Sequence, residues 1–157
     1  MPPETTDKRT LAKSAARAMW QHDRASKWLG MRIEEVRPGY ARLSMPVTEQ
    51  MANSRDLCHG GLIFALADSA FAFASNSRGQ VAVAASASIE FLAPGYRGDL
   101  LTAEASEAAQ RDRSSLYDVR VVNQKGELIA LFRGRSAAVK GNWFDQDKTP
   151  QAGATSG

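Results

Sequence analysis

Cysteine and histidine are scarce in this sequence, and their scarcity excludes several kinds of site. The single cysteine, Cys58, cannot form a disulfide within the chain, which favours a cytoplasmic location. The two histidines, His22 and His59, add too few ligands for a zinc site of His and Cys side chains. The phosphate-binding loop, the dinucleotide fingerprint, the zinc-protease helix and the serine-hydrolase elbow are also absent.

Long apolar runs and a strong charge of one sign are lacking too. The longest apolar run, residues 62–74, is shorter than the ~20 residues of a membrane span and contains Asp68. The net charge is only +3, and no stripe of lysine and arginine interleaves with aromatics. We therefore expect no membrane span and no nucleic-acid partner, although an anionic small molecule would suit the charge. Residues 1–19 lack the apolar core of a secretory signal.

What the sequence does contain is a clear change of hydrophobic period along one domain of 157 residues. A surface helix is predicted over residues 8–28, with Leu11, Met19 and Trp28 on its apolar face. A second helix, 60–76, is apolar nearly all round and should be enclosed on most sides. The predicted strands are 31–36, 40–47, 81–92, 100–109, 116–122 and 128–139.

One enclosed helix beside a run of strands predicts an α+β fold in which a curved sheet wraps the helix. Short connections among the last four strands predict that they pair antiparallel. An open sheet has edges, and a strand face of Ala82, Ala84, Ser86 and Ser88 is poorly suited to remain bare, so we expect self-association. The polar, glycine-rich segment 140–157 is predicted to be a loose tail.

A carboxylate interrupts the apolar helix. Between Leu62 and Ala74 the only polar side chains are Asp68 and Ser69, and ionised carboxylates are rarely buried without a partner. Asp68 is therefore either a solvent-facing or salt-bridged residue, or a base or nucleophile whose pKa is tuned by burial.

The same helix begins with two glycines. A helix start carries unpaired N–H groups and a partial positive charge. Gly60 and Gly61 either permit a tight turn or open an oxyanion hole, in which a backbone N–H faces a carbonyl oxygen. His59 either caps the loop or flanks that hole, and we interpret Cys58 as a small apolar loop residue rather than a nucleophile.

Three segments together carry a resemblance to a known family. They are Asn53-x5-His59-Gly60-Gly61-x6-Asp68, Phe91-Leu92-x-Pro94-x3-Gly98-Asp99 and Phe132-Arg133-Gly134. With them the sequence resembles the hotdog-fold acyl-CoA thioesterases, and most closely the phenylacetyl-CoA type. The likeness covers residues 14–139 and implies the hotdog fold over 30–139, preceded by a helix in 1–29 and followed by the tail. It implies a homodimer as catalytic unit, dimers that pair into tetramers, and no metal or redox cofactor, since CoA belongs to the substrate.

The resemblance also implies a role for each site residue. Asp68 matches the catalytic base or nucleophile, and the N–H of Gly60 matches the donor that polarises the thioester carbonyl. Asn53 matches a side chain that positions substrate or water, and His59 flanks the hole. The implied substrate-binding residues are Gly61, Ser86 and Phe91, with Arg111, Arg113 and Ser114 in a loop at 110–115 whose arginines suit CoA phosphates.

Helix geometry adds that one chain cannot complete this site. Gly60 and Asp68 are eight residues apart, about 12 Å along one helix. A thioester carbon needs both groups within about 3–3.5 Å of its reacting atoms. If both act, they come from two chains with antiparallel helices, and the active site requires the dimer.

The predicted activity is hydrolysis of an acyl-CoA, of aryl-acetyl or hydroxylated aryl-acetyl type, to a carboxylate and CoA. Three alternatives remain at this point: an enoyl-thioester hydratase of the same fold, a non-catalytic acyl-CoA sensor, and a structural oligomer. The hydratase is disfavoured because such sites pair an Asp with a His on the same segment, whereas His59 is nine residues from Asp68.

Overall fold

The computed structural model describes residues 7–144, and these begin with two helices instead of the predicted one. Helix α1 is Lys8–His22 and helix α2 is Arg24–Trp28. The break falls at Asp23, because its carboxylate accepts a hydrogen bond from the Ser26 N–H at 2.9 Å and starts a new helix as its N-cap. Trp28, predicted to lie on the apolar face, is 85% exposed after this break.

Six strands form one antiparallel sheet in the order β1-β2-β4-β5-β6-β3. Strand β3 pairs with β6 and not with β4, so the expectation of pairing between neighbours along the chain is wrong at this point. The strands are β1 Arg32–Arg37, β2 Tyr40–Pro46, β3 Gln80–Phe91, β4 Leu100–Arg111, β5 Ser114–Val122 and β6 Leu128–Asn142.

The connection between β3 and β4 crosses the sheet, and hydrogen bonds to segments that are distant in sequence fix its position. The Cys58 N–H donates to the Gly95 carbonyl at 2.8 Å, and the Gly98 N–H donates to the Val47 carbonyl at 2.8 Å. Asp99 accepts from the Val47 N–H at 2.8 Å. These bonds fasten the connection to the end of β2 and to the loop before the long helix, which brings residues 91–95 to the start of that helix.

The long helix α3, Gly60–Ser75, packs one face on the sheet and fills the core. Phe71 lies at the centre, with its ring 5.7 Å from the ring of Tyr117 and directly over Gly134. The opposite face, which includes Ala65, Asp68 and Ala72, stays half-exposed in the single chain. The predicted α+β hotdog architecture is thus confirmed, although the sheet encloses α3 on one side only.

Strand β3 is one edge of the sheet, and the end of β6 lies beside it. Val83 and Phe91 on β3 are 49% and 52% exposed. Strand β6 continues past the predicted end at Val139 to Asn142, and the Trp143 indole donates to the Asn76 side chain at 2.8 Å. Residues 140–144 are therefore not a loose tail, and residues 145–157 lie outside the described part of the chain.

Candidate active site

His59 caps α3 and thereby determines which amide at the helix start remains available. Its Nδ1 accepts the Gly61 N–H at 3.0 Å, and its carbonyl accepts the N–H groups of Leu62 and Ile63 at 2.9 and 3.3 Å. Within residues 7–144, the Gly60 N–H is the amide of this first turn that has no acceptor. The capping interpretation of His59 is confirmed, and the cap leaves a single donor free for a carbonyl oxygen.

That donor lies at a small apolar cavity of about 350 Å³. The Phe91 ring packs directly on Gly60, where an added Cβ would be 3.2 Å from the ring Cζ atom. Glycine at this position therefore lets both the aromatic ring and a ligand approach the backbone. The lining residues are Asn53, Leu57, Cys58, Gly60, Ile63, Phe91, Leu92, Ala93, Pro94 and Gly95.

Asn53 holds the loop that forms one wall of the cavity. Its side-chain oxygen accepts the N–H groups of Arg55 at 2.9 Å and Leu57 at 3.2 Å, which closes a turn. Its amide nitrogen makes no hydrogen bond within residues 7–144, so two N–H donors remain for a ligand. The structure thus brings Asn53 together with Gly60 and Phe91, as the predicted roles require.

Asp68 does not belong to this cavity. It lies two turns further along α3, about 12 Å from the helix start, and its side chain is half-buried. Burial is the one cause that raises the pKa of its carboxyl group above the ordinary aspartate value. In the part of the chain that the structure describes, Asp68 has no ion-pair partner, so the salt-bridged alternative fails.

The remaining predicted binding residues do not reach the cavity of their own chain. Ser86 is exposed on the edge strand β3, and Arg111, Arg113 and Ser114 surround the turn between β4 and β5. The predicted loop 110–115 is wrong, because only two residues separate the strands and most of the segment pairs as β-structure.

The β4–β5 turn lies at the far end of the sheet. The Arg113 carbonyl accepts the Ala138 N–H at 2.8 Å, and the neighbouring Ala137 pairs with Val83 on β3. Val83 is eight residues from Phe91, or about 26 Å along an extended strand. Within one chain, this turn cannot contact a ligand held at Gly60.

Sequence reasoning missed the wall that Pro94 and Gly95 contribute to the cavity. The Pro-Gly pair signals a turn, but the hydrogen bond from Cys58 to Gly95 that positions it joins residues far apart in sequence. Cys58 itself is buried, and its pKa is raised to about 11, chiefly by burial and then by the charge of Asp99. It is therefore a protonated thiol at neutral pH, which agrees with its interpretation as an apolar loop residue.

Two further observations concern residues 7–144. No three His, Cys, Asp or Glu side chains among them are grouped closely enough to hold a metal ion. None of the helices in this range combines the length and the apolar composition needed to cross a membrane.

Comparison with known proteins agrees with this geometry. Residues 56–130 match the family described as the thioesterase superfamily. The acyl-coenzyme A thioesterase PaaI of Escherichia coli is 46% identical over 126 residues, which cover 80% of this chain and 90% of that protein. The chain belongs to the thioesterase superfamily. The resemblance found in the sequence is confirmed.

Solved structures share the fold. The E. coli PaaI protein from the phenylacetic acid degradation operon superposes with a TM-score of 0.85 at 43% identity, over 87% of this chain and 99% of that chain. A Streptococcus mutans protein bound to acetyl CoA has a TM-score of 0.69 at 25% identity, over 71% of this chain and 90% of that chain.

Proposed function

We propose that this thioesterase hydrolyses an acyl-CoA to a free carboxylic acid and CoA. The observation that carries the proposal is the Gly60 N–H, which His59 leaves unpaired on a residue that lines an apolar cavity. Membership of the thioesterase superfamily and the likeness to an enzyme named acyl-coenzyme A thioesterase support it. The structural likeness to a protein bound to acetyl CoA supports the class of substrate.

In the proposed reaction the thioester carbonyl oxygen accepts a hydrogen bond from the Gly60 N–H. Water attacks the carbonyl carbon while Asp68 takes its proton, so that a C–O bond forms and negative charge grows on the oxygen. The C–S bond then breaks, and CoA leaves as a thiolate that takes up a proton. Asp68 can alternatively attack the carbon itself, giving an anhydride that water opens. Neither route needs a cofactor.

We further propose that Gly60 and Asp68 of one active site belong to two chains. The proposed interface contains two surfaces, the half-exposed face of α3 around Asp68 and the exposed edge strand β3. When two β3 strands pair antiparallel about a two-fold axis, the first half of one lies beside the second half of the other. This arrangement brings the β4–β5 turn of one chain towards the partner cavity, where Arg111 and Arg113 suit CoA phosphates.

The proposed acyl group is phenylacetyl or a hydroxylated aryl-acetyl. An aryl ring suits a wall formed by Leu57, Ile63, Phe91 and Leu92, where aromatic pairs favour edge-to-face contact. The similar E. coli structure comes from the phenylacetic acid degradation operon. Pairing of dimers into a homotetramer and a cytoplasmic location belong to the same proposal and rest on the sequence.

The alternatives predict different behaviour. A hydratase would pair Asp68 with a histidine, but the His59 ring is engaged with the Gly61 N–H at the start of α3, nine residues before Asp68. A sensor would need the cavity without the Asp68 carboxylate, whose raised pKa makes it a better proton acceptor near neutral pH.

The test is release of CoA from a panel of aryl-acetyl and straight-chain acyl-CoAs, followed with a thiol reagent. The informative variants are Gly60→Pro, which removes the N–H, and Gly60→Ala, a matched control that keeps it. Loss of an oxyanion donor costs roughly 10²–10³-fold in rate, and Gly60→Ala should lose far less. Equal activity of the two variants would refute the role of the N–H. Tight binding without release of CoA would support the sensor.

A further inference from the structure

A second concave site lies at the opposite edge of the sheet from β3, between helix α1 and strand β1. It is a groove of about 670 Å³, a volume within the range of ligand sites. Its floor is apolar, with buried Met31 and Val36 and the half-buried ring of Trp20, which packs on Phe73 of α3. The lining residues are Arg9, Lys13, Ala16, Arg17, Trp20 and the whole of 31–37.

The rim of this groove is basic. Arg9, Lys13 and Arg17 on α1 and Arg32 on β1 are exposed, and none forms an ion pair within the described range 7–144. With Arg37, Glu34 and Glu35 included, the lining has a net charge of +3, which equals the net charge of the whole chain. The groove is therefore a place where positive charge is concentrated.

The two acidic side chains of the groove differ in how far they are compensated. Glu35 accepts from Arg37 at 3.3 Å and lies 3.8 Å from Arg42, while Glu34 accepts the Ser44 hydroxyl at 2.6 Å. The two arginines offset the charge of Glu35, whereas a neutral hydroxyl leaves Glu34 charged. The four exposed cations of the rim therefore outnumber one uncompensated carboxylate.

The groove also presents unpaired backbone. Among residues 7–144, strand β1 pairs only with β2, so within this range the N–H and C=O groups on its outer side form a free sheet edge. The seven lining residues 31–37 span about 23 Å at 3.3 Å per residue, the length of a seven-residue extended peptide. A free strand edge beside side-chain pockets is the geometry of β-strand addition.

The spacing of the cations matches such a peptide. Arg9, Lys13 and Arg17 recur every fourth residue, so they are about 6 Å apart along α1. Side chains on one face of a strand recur about every 6.6 Å. When the added strand runs along α1, acidic side chains at every second position therefore have nearly the spacing of the three cations.

From these observations we propose that the groove between α1 and β1 binds an extended acidic peptide, which adds to the β1 edge and places an acidic side chain at every second residue against Arg9, Lys13 and Arg17. A compact anion would use the charges but not the strand edge. A neutral peptide would use the edge but not the charges. The proposal is independent of the chemistry at Gly60 and Asp68.

The test uses two labelled octapeptides of the same composition, one with alternating glutamate and valine and one with four glutamates followed by four valines. Binding to the full chain is followed by fluorescence anisotropy at low and high salt, and backbone protection by hydrogen exchange. The test variant is Lys13→Glu with Arg17→Glu. Its matched control is Lys125→Glu with Lys140→Glu, which reverses two exposed lysines outside the groove. Unchanged acyl-CoA turnover or an unchanged melting temperature shows that both remain folded.

We expect the alternating peptide to bind at least about tenfold more tightly than its block isomer, with affinity that falls as salt rises. Lys13→Glu with Arg17→Glu should weaken binding about tenfold or more, the control should not, and amides of residues 31–37 should gain protection. Equal affinity for the two peptides, equal losses in both double variants, or no protection along β1 would overturn the proposal. Stronger binding of an RNA oligonucleotide than of the alternating peptide would identify a general polyanion surface and would also overturn it.

Discussion

Chains that carry Gly60→Pro and chains that carry Asp68→Asn should each be almost inactive alone and should restore one another when they pair. The Gly60 N–H and the Asp68 carboxylate are about 12 Å apart along α3, whereas one thioester needs both within about 3–3.5 Å of its reacting atoms. Each variant therefore damages a different half of every site. A mixed dimer has one site with both lesions and one site with neither.

The size of the recovery follows from this division. Loss of an oxyanion donor costs roughly 10²–10³-fold and loss of a general base roughly 10²–10⁴-fold, so each variant alone keeps about 1% of wild-type turnover or less. Random pairing of equal amounts leaves about one quarter of all sites with an intact Gly60 and an intact Asp68. Activity should thus rise at least about 25-fold, to about a quarter of wild type. The fraction is the same when dimers pair further.

The backbone dihedral angles around Gly60 accept proline, and the added Cβ, 3.2 Å from the Phe91 ring, is also present in the Gly60→Ala control. His59 has φ −58° and ψ 130°, the extended conformation that a residue before proline prefers. Proline is also favoured at the first helical position, where its missing N–H has no helical partner. The variant therefore removes the proposed donor and leaves the helix start in place.

The assay co-expresses the two chains with different affinity tags and measures CoA release from the whole mixture and from dimers isolated by both tags. In the isolated dimers one site of two is intact, so their turnover should reach about half of wild type. A control mixture pairs Gly60→Pro with Asn53→Ala. Both changes damage the cavity of their own chain, so no site becomes intact and turnover should stay low. If doubly tagged dimers of Gly60→Pro and Asp68→Asn regain no turnover, the Gly60 N–H and the Asp68 carboxylate act within one chain, and the proposal of a shared site is wrong.

Three further predictions concern α3. Burial raises the pKa of Asp68 in the folded state above its unfolded value, so the wild type loses stability as pH rises through these pKa values. Asp68→Asn should therefore have a higher melting temperature than the wild type at pH 7. Thermal melts should show that the difference in melting temperature disappears as pH falls below about 4. The same shift should move the acidic limb of the kcat/KM profile to higher pH than an ordinary aspartate gives, and an unshifted limb would count against Asp68 as the base. Gly134→Ala would place a Cβ 2.8 Å from the Phe71 ring. Such overpacking costs about 1–3 kcal/mol, and thermal melts followed by circular dichroism should show a melting temperature lower by about 2–4 °C per kcal/mol. An unchanged melting temperature would show that the ring moves freely.

Periodicity predicted the elements whose neighbours lie close in sequence. The apolar run after Gly60 became α3, and the alternation from residue 81 became β3. The break at Asp23 was not predicted, because aspartate is a favoured N-cap residue but is also common on the solvent face of a continuous helix. The partner of β3 could not be predicted from the sequence. The hydrogen bonds that direct the chain across the sheet join Gly95 to Cys58 and Gly98 to Val47, which are far apart in sequence.

The candidate active site also has parts that the sequence predicts and parts that it does not. The resemblance placed Asn53, His59 and Gly60 together, and the cavity at Gly60 agrees with it. That His59 takes up the Gly61 N–H and leaves the Gly60 N–H free depends on a side-chain rotamer, which no pattern in the sequence specifies. Asp68 and the arginines near Arg111 lie apart from the cavity in one chain, so their roles depend on a second copy.

The carboxamide of Asn76 has no spare hydrogen-bonding capacity. Its two N–H groups go to the carbonyls of Ala72 and Ala82, and its oxygen accepts the Ala82 N–H and the Trp143 indole. Deamidation of Asn76 would keep the shape of the side chain but replace its NH2 donor with an oxygen. A carboxylate would then face two carbonyl oxygens. The end of α3, the start of β3 and the end of β6 would loosen together. A preparation that loses activity in storage can therefore have every residue around Gly60 intact.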